Sequence, residues 1–477
     1  MMIRYATLAV VLTVSLGAQS ASTPETPAGQ VLAAWLDAFN SADPVKMLAF
    51  GTTYRIQSGP PIAQQIGFRE ETGGFTLVRI EKSEPTSIVA LLQEKDSDTL
   101  ARIEMVVTGD PPKLKGPTPI RSIERPADLA IPRMTEAAAL AALSARVDEI
   151  ASRDKFSGVV LVARHGTVLL QKAAGTANRE AGTLITADTK FRNGSMNKMF
   201  TATAILQLVD AGKLALDDPI GQHLTEYPNA DVATKVTVRH LLTHSGGTGD
   251  IFGPEFTKHR LTLREHADYL KLYGSRGLGH EPGAEFRYSN YGFVLLGAII
   301  EKVTGVSYYD YVRTKVFEPA GMTSTGSLPE AESVPNRSSG YMRSAGQWLP
   351  NTDTLPWRGT SAGGGYATAG DFFRFARALE SGTLVSKALL AEATKVQRDR
   401  YGFGFGISGE GALRAYGHGG AAPGMNGDLR VFPALGYVVV ALSNLDPPAA
   451  SRLADFFTLR MPLATPGSSA LHQNGER

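Results

Sequence analysis

Apolar positions change period along this chain, and each change marks a part. Val31, Leu32, Trp35, Leu36 and Phe39 recur at helical spacing and predict an amphipathic helix. Asp43-Pro44 then supplies a cap and a first-turn proline for a second, short helix. From Gly74 the period falls to two. Phe75–Glu81, Ser87–Glu94 and Leu100–Thr108 read as strands, with a further short strand near Ile120. Helices followed by antiparallel strands make a small α+β unit of about 100 residues, placed at 23–125. A Thr/Pro-rich stretch leads into it, and Arg125-Pro126 to Pro132 closes it.

The pattern then restarts. Thr135–Ala151 reads as a helix, and Gly158–Arg164 and Thr167–Lys172 as a hairpin about His165-Gly166. Met199, Ala202, Ile205, Leu206 and Val209 mark another amphipathic helix, with Gly212 as its stop. Phe293 to Val303 is an apolar helix stopped by Gly305. Asp428–Phe432 and Tyr437–Leu442 close the series as strands. These elements define a second domain at 133–460, followed by a polar tail from Thr465 to Arg477.

Composition narrows the picture. A chain of 477 residues suits two domains, and 43% hydrophobic with 20% charged residues is globular. A net charge of +2 without a basic run gives no reason to expect nucleic acid or an anionic membrane as partner. With no cysteine, disulfides, thiol catalysis and cysteine metal sites are excluded, and a soluble mature protein is expected over a lipid-anchored lipoprotein, which needs a cysteine at its cleavage point. Arg4, the apolar run Tyr5 to Leu16 and the small-x-small triplet Ala18-Gln19-Ser20 read as a signal peptide at 1–20. A periplasmic or secreted protein is expected. The apolar run is too short to span a bilayer comfortably.

The candidate chemistry centres on Ser195-Met196-Asn197-Lys198, where one amphipathic helix begins. Residues three apart share a helix face, so the Lys198 amine reaches the Ser195 hydroxyl. Helix N-termini carry free N–H groups and partial positive charge, which favour a developing alkoxide and leave the Ser195 N–H for an oxyanion. Together they form an activated nucleophile within one turn. Ser152-Arg153-Asp154-Lys155 has the same spacing but closes a helix, where the dipole disfavours an anion.

Two further stretches add to it. Tyr288-Ser289-Asn290 lies between a Pro282-Gly283 turn and the apolar helix. Tyr288 suits proton relay, with its pKa lowered by a neighbouring Lys198 cation, and Asn290 suits holding Lys198 or a substrate carbonyl. His418-Gly419-Gly420 precedes the last strands, and its glycines suit close approach of a substrate backbone. Tyr227-Pro228-Asn229 and His244-Ser245-Gly246 repeat these patterns in contexts that favour structural roles. His240 and His244 have metal-compatible spacing but lack the glutamate of a zinc-protease motif, so no metal and no cofactor are expected.

In this order, Ser-x-x-Lys, Tyr-x-Asn and His-x-Gly resemble the serine β-lactamase and penicillin-binding-protein superfamily. The nearest branch holds class C β-lactamases, D,D-peptidases, D-aminopeptidases and related esterases. Thr237 to Gly247, Gly363 to Thr368 and Tyr401 to Gly406 support the resemblance, which covers about 133–460. It implies an α+β fold: an antiparallel sheet flanked by helices plus an α-helical subdomain. It also implies Ser195 as acyl-forming nucleophile, Lys198 and Tyr288 as base and acid, and Asn290 as positioner. His418, Gly419 and Gly420 would line the substrate, and the Ser195 and Ala421 N–H groups would form the oxyanion hole. The implied partner is a small-molecule or short-peptide acyl substrate. Relatives that hydrolyse β-lactams carry Lys-Thr-Gly at the third motif, so His418-Gly419-Gly420 implies a preference for esters or D-peptides. The N-terminal unit loosely resembles the cystatin-like or nuclear-transport-factor-like fold, which implies a packing or dimerisation role.

Two rivals remain open on the sequence. Gly359-Thr360-Ser361-Ala362-Gly363 matches the Gly-x-Ser-x-Gly elbow of α/β-hydrolases, with Asp371 and His418 following in order. Its flanks oppose that reading, because Pro356-Trp357-Arg358 precedes the motif where a strand is needed. A catalytically silent binding or scaffold protein is the other, and the presence of Ser195, Lys198, Tyr288 and Asn290 argues against it.

Overall fold

A computed structural model describes residues 22–55, 59–344 and 346–463. The expected signal peptide at 1–20 and the tail from 465 lie outside the described residues. The chain divides into two compact units between Ala130 and Ile131.

In the first unit, the helix Pro27–Asn40 starts at an N-cap where the Thr26 hydroxyl accepts from the Gly29 N–H. Its buried stripe Val31, Leu32, Trp35 and Phe39 packs on strands of a five-stranded antiparallel sheet. Trp35, Phe39 and Phe75 stack there, with ring centroids 5.0 to 6.1 Å apart. Asp43 caps the helix Pro44–Tyr54, as its sequence requires. The strands run Phe75–Glu84, Ser87–Glu94, Leu100–Thr108 and Ile120–Ile123. Three elements were not expected, the helix Ile62–Thr72, the strand Lys113–Leu114 and the 3₁₀ turn Ala127–Leu129. The helix buries only Thr72, so its sequence carries little periodic signal.

The second unit is built on a six-stranded antiparallel sheet. Its order is Gly406–Ser408, Ala415–Ala422, Met425–Phe432, Tyr437–Ser443, Gly158–Arg164 and Thr167–Ala174. The hairpin from the start of the unit therefore pairs with the last strand, Val159 opposite Leu442. His165 and Gly166 both take positive φ at that hairpin's turn, as a two-residue connection of this hand demands.

Both faces of the central strands are buried. Val159, Leu161, Val438 and Val440 face a core containing Met199, Phe372 and Phe375. Val160, Val162, Val439 and Ala441 face Leu143, Val147, Leu453 and Phe457. The second core belongs to the helices Glu136–Ser152 and Ser451–Arg460. Burial on both sides explains why these strands read as continuous apolar runs. The helices Asn197–Asp210 and Ala369–Ser381 lie on the first core, and the helices between Ile220 and Ala320 build the α-helical part. No helix among the described residues is long and apolar enough to cross a membrane.

Candidate active site

A short strand, Phe191–Arg192, leads into Gly194 at φ +49°. A 3₁₀ turn, Gly194–Met196, then runs straight into the helix Asn197–Asp210. Ser195 thus sits just ahead of the helix's first turn. Glycines permit the close packing here. A β-carbon on Gly194 would stand 2.7 Å from Met425 Sδ, and one on Gly420 would stand 2.5 Å from the Asn193 carbonyl oxygen. Gly420 therefore lets its strand close on the nucleophile turn, and its bare face is not open to a ligand. Gly419 is exposed, with only the Gly427 carbonyl oxygen at 3.6 Å near its bare face.

Lys198 is fully buried, and its amine has three oxygen neighbours. Nζ lies 3.1 Å from Ser195 Oγ and 2.7 Å from Asn290 Oδ1, and it also donates to the Ala362 carbonyl. Asn290 Oδ1 and the Ala362 oxygen only accept. They take two amine hydrogens, and the third direction faces the Ser195 hydroxyl. In the neutral amine that third direction is the lone pair. Burial lowers the Lys198 pKa to about 7, against the opposing pull of the Asp250 carboxylate. A neutral lysine aimed at a serine hydroxyl can take its proton near neutral pH.

Asp250 fixes that aim. Its carboxylate accepts from the Asn290 backbone N–H and from Asn290 Nδ2, each at 3.1 Å. A carboxylate cannot donate, so Nδ2 must face Asp250 and Oδ1 must face Lys198. Asp250→Asn should lower plateau kcat/KM by about ten- to a hundredfold, the scale of one lost charge-assisted hydrogen bond. Removing the negative charge also lowers the Lys198 pKa, so the acid limb of the pH profile should move to lower pH. An unchanged limb and plateau would show that Asp250 does not act on Lys198.

The Tyr288 ring centroid lies 4.7 Å from Lys198 Nζ, and its hydroxyl is close enough to the Ser195 side chain to feel it electrostatically. The sequence expectation of a lowered Tyr288 pKa is corrected. Burial raises it, and the neighbouring Ser195 side chain offsets only part of that rise. Tyr288 is thus a protonated phenol across the working range. His244 packs on it at 4.1 Å between centroids, and His244 Nδ1 accepts from the Ser289 N–H at 3.1 Å.

His418 also differs from its expected part. Nε2 bonds the Tyr401 hydroxyl at 2.8 Å, and Nδ1 donates to the Gly419 carbonyl at 2.6 Å. With both nitrogens engaged, its ring offers no free hydrogen bond to a substrate. Burial, then Lys198, lowers its pKa to about 4, so it is neutral at pH 7. Ala421 lines the same cavity as Ser195, and its amide nitrogen is 3.6 Å from where a Gly194 β-carbon would stand.

The rival motifs resolve differently. Ser361 is fully buried and bonds His266 Nε2 at 2.8 Å, not His418. Asp371 instead accepts from the Ser324 N–H and the Thr325 hydroxyl. The elbow reading therefore has neither its partners nor access to substrate. The Ser152 hydroxyl donates to the Glu149 carbonyl at 2.7 Å. His240 joins a capping box with Thr237. Asn229 caps a short helix, Ala230–Lys235, and the Tyr227 hydroxyl lies 3.2 Å from that of Tyr291. Asp250, Tyr401 and the Ala362 carbonyl were not singled out by sequence reasoning. Asp250 lies 40 residues from Asn290 and Ala362 lies 164 from Lys198, while Tyr401, 17 residues from His418, belongs to a stretch that supported the β-lactamase resemblance.

A cavity of about 350 Å³ opens at Ser195. Ile251, Phe252, Phe256, Leu355 and Pro356 give it an apolar lining. Its cations are Arg192, paired with Glu330 at 2.9 Å, and Arg358, stacked on the Tyr309 ring with Nε donating to the Ser327 carbonyl.

A fully buried lysine aimed at a helix-opening serine, beside a Tyr-x-Asn pair and a glycine-rich strand, defines a class of serine hydrolases. Residues 141–460 match the model of the beta-lactamase family, and the chain belongs to that family. Esterase EstB of Burkholderia gladioli is 32% identical over 309 residues, 57% of this chain and 78% of that protein. A penicillin-binding protein from Bacillus halodurans is 31% identical, with a TM-score of 0.60 over 65% of this chain and 98% of that one. A D-stereospecific amidohydrolase from Streptomyces is 29% identical, with a TM-score of 0.56 over 67% of this chain and 97% of that one. The chain is a serine hydrolase of the β-lactamase and penicillin-binding-protein superfamily.

Proposed function

We propose that this protein is an exported hydrolase that forms an acyl-enzyme on Ser195 and prefers neutral esters, or amides without a nearby carboxylate, to β-lactams. The observation that carries the mechanism is the Lys198 amine, held by two acceptors with its third direction on Ser195 Oγ. In the acylation step the Ser195 proton passes to Lys198 Nζ as Oγ bonds the acyl carbon. The carbonyl π pair moves to oxygen, where the Ser195 and Ala421 N–H groups stabilise it. Collapse breaks the bond to the leaving group, which takes a proton relayed from Lys198 through the Tyr288 hydroxyl. Water then repeats the sequence on the acyl-enzyme, and Ser195 is released. The Arg4, Tyr5–Leu16 and Ala18-Gln19-Ser20 pattern supports export.

The substrate preference rests on His418. A lysine at that position would offer a cation to a drug carboxylate. The neutral, internally bonded imidazole offers neither charge nor a free donor, and Gly419 offers no hydroxyl. An ester with an apolar acyl group loses nothing by this and fits the apolar cavity. The similarity to a D-stereospecific amidohydrolase favours D-amino-acid amides as the second reading.

A hydrolysis panel on purified protein tests the preference. Short p-nitrophenyl esters should exceed nitrocefin in kcat/KM by about a hundredfold, the scale of a lost charge-assisted hydrogen bond plus a lost neutral one. D-amino-acid amides turned over faster than the esters would install the second reading. Nitrocefin hydrolysed faster than either would overturn the preference and leave the Ser195 mechanism standing. Failure of Ser195 to take a serine-reactive phosphonate would favour a silent binding protein.

A further inference from the structure

Ser361, rejected above as a nucleophile, is the centre of a buried side-chain cluster. Its Oγ lies 2.8 Å from the Phe293 carbonyl oxygen and 2.8 Å from His266 Nε2, and the tautomer of His266 sets which of the two takes the single hydroxyl proton. His266 Nδ1 donates to Glu301 Oε1 at 3.0 Å. The same oxygen accepts from the Tyr308 N–H at 3.1 Å. Ser361 and His266 are essentially inaccessible to solvent. No substrate reaches this cluster, yet its geometry resembles that of a catalytic Ser-His-Glu set.

What the cluster holds is a stretch of backbone. Three consecutive carbonyls, of Thr360, Ser361 and Ala362, accept from Asn197 Nδ2, the Thr201 hydroxyl and Lys198 Nζ. All three donors lie on the nucleophile helix. The Tyr308 hydroxyl bonds Asn197 Nδ2 at 3.0 Å and the Thr201 hydroxyl at 2.7 Å, which closes the network back onto that helix. The other wall is the helix Asn290–Thr304, which contributes Phe293, Gly297 and Glu301 at four-residue spacing. Gly297 leaves the space. A β-carbon there would stand 2.3 Å from Ser361 Oγ and 2.5 Å from His266 Nε2.

We propose that Ser361, His266 and Glu301 are positioning residues that clamp the Thr360–Ala362 backbone, so that the Ala362 carbonyl directs the Lys198 amine at Ser195. The clamp acts through a single oxygen. Ala362 takes one amine hydrogen, Asn290 takes another, and the lone pair then points at Ser195 Oγ. Release of the clamp leaves the amine one acceptor short and free to rotate away. The proposal rests on Lys198 being the base.

The test is a pair of variants, Ser361→Ala and Glu301→Gln, with ester kcat and KM measured against pH. Ser361→Ala removes one oxygen without adding bulk, and Glu301→Gln keeps the shape while removing the carboxylate. Both should lower kcat about ten- to a hundredfold, as a misdirected catalytic group does, with KM within about twofold. The acid limb should shift to lower pH, because a carbonyl acceptor favours the charged amine and its loss disfavours it. Phosphonate labelling should still fall on Ser195, but slowly. If Ser361→Ala does not fold, Glu301→Gln alone decides the question.

A wild-type kcat and acid limb in a folded variant would overturn the clamp. So would a raised KM with unchanged kcat, which would assign the cluster to the cavity wall. Lys198→Met separates the two readings. Near-native turnover in Lys198→Met removes the base assignment and the clamp with it. An inactive Lys198→Met beside a fully active Ser361→Ala removes the clamp alone.

Discussion

Ser195→Ala should abolish ester hydrolysis, with turnover lower by roughly 10⁴-fold or more, the scale on which removing a serine nucleophile acts. The expectation follows from what the other groups at the site can do. Lys198, Tyr288 and the N–H groups of Ser195 and Ala421 polarise, accept and deliver protons, but none supplies the atom that bonds the acyl carbon. Water in place of the hydroxyl would lack the effective concentration that a held nucleophile provides. The fold should survive. The hydroxyl is small, and the turn that carries it is set by Gly194, Met425 and the Asn193 carbonyl. Thermal midpoints of the variant and wild type should therefore lie close together. The direct measurement is intact-protein mass after incubation with a phosphonate. Wild type and Ser361→Ala should gain one adduct, located at Ser195, and Ser195→Ala should gain none. An active Ser195→Ala, or an adduct on Ser361, would move the chemistry to the buried cluster and sink the acyl-enzyme reading.

The parts of this site that sequence exposes are those written locally. Ser195 and Lys198 lie within one turn, and Met199, Ala202, Ile205 and Leu206 after them already mark a helix. The Gly305 stop of the helix that presents Asn290 was read from the chain, and the structure keeps it, starting the helix at a Ser289 cap. The central strands were equally legible, because Val159 to Val162 and Val438 to Ala441 are apolar without a break, whereas the glycine-rich strands Gly406–Ser408 and Ala415–Ala422 carry no such run. The order in which those strands pair was not legible, since period alone does not bring Gly158–Arg164 beside Tyr437–Ser443. Partners joined only in space were not legible. Asp250 stands 40 residues from Asn290, and His266 stands 95 from Ser361. The Tyr288 pKa went the wrong way for a related reason. A neighbouring cation can be guessed from a motif, but the depth of burial that outweighs it cannot. The helix Ala369–Ser381 was missed although its signal was present: Thr368 caps it, and Phe372, Phe375, Ala376 and Leu379 recur at helical spacing.

Lys198→Met should lower turnover by about 10²–10⁴-fold, the usual scale for removing a general base. Methionine nearly matches the lysine stem in bulk and removes the amine, so lost packing does not confound the result. The wild-type acid limb should fall near the Lys198 pKa of about 7, since only the neutral amine can accept the Ser195 proton. In the variant that limb should vanish from whatever activity remains. Stability should respond in the opposite sense. The folded state depresses the lysine pKa from its ordinary 10.5 to about 7, so between those values the unfolded chain binds more protons. Wild-type stability therefore rises with pH through that window, and below it the full cost of burying a cation persists. Methionine carries no such cost at any pH. Loss of the amine does leave Asn290 Oδ1 and the Ala362 carbonyl without a donor, which costs the variant a constant amount. The stability of Lys198→Met relative to wild type should thus improve as the pH falls from about 10 to about 7 and then level off. Denaturant midpoints measured across that range read this directly. A difference that stays constant with pH would show that Lys198 is not held with a depressed pKa. Near-native turnover in the variant would refute its role as base.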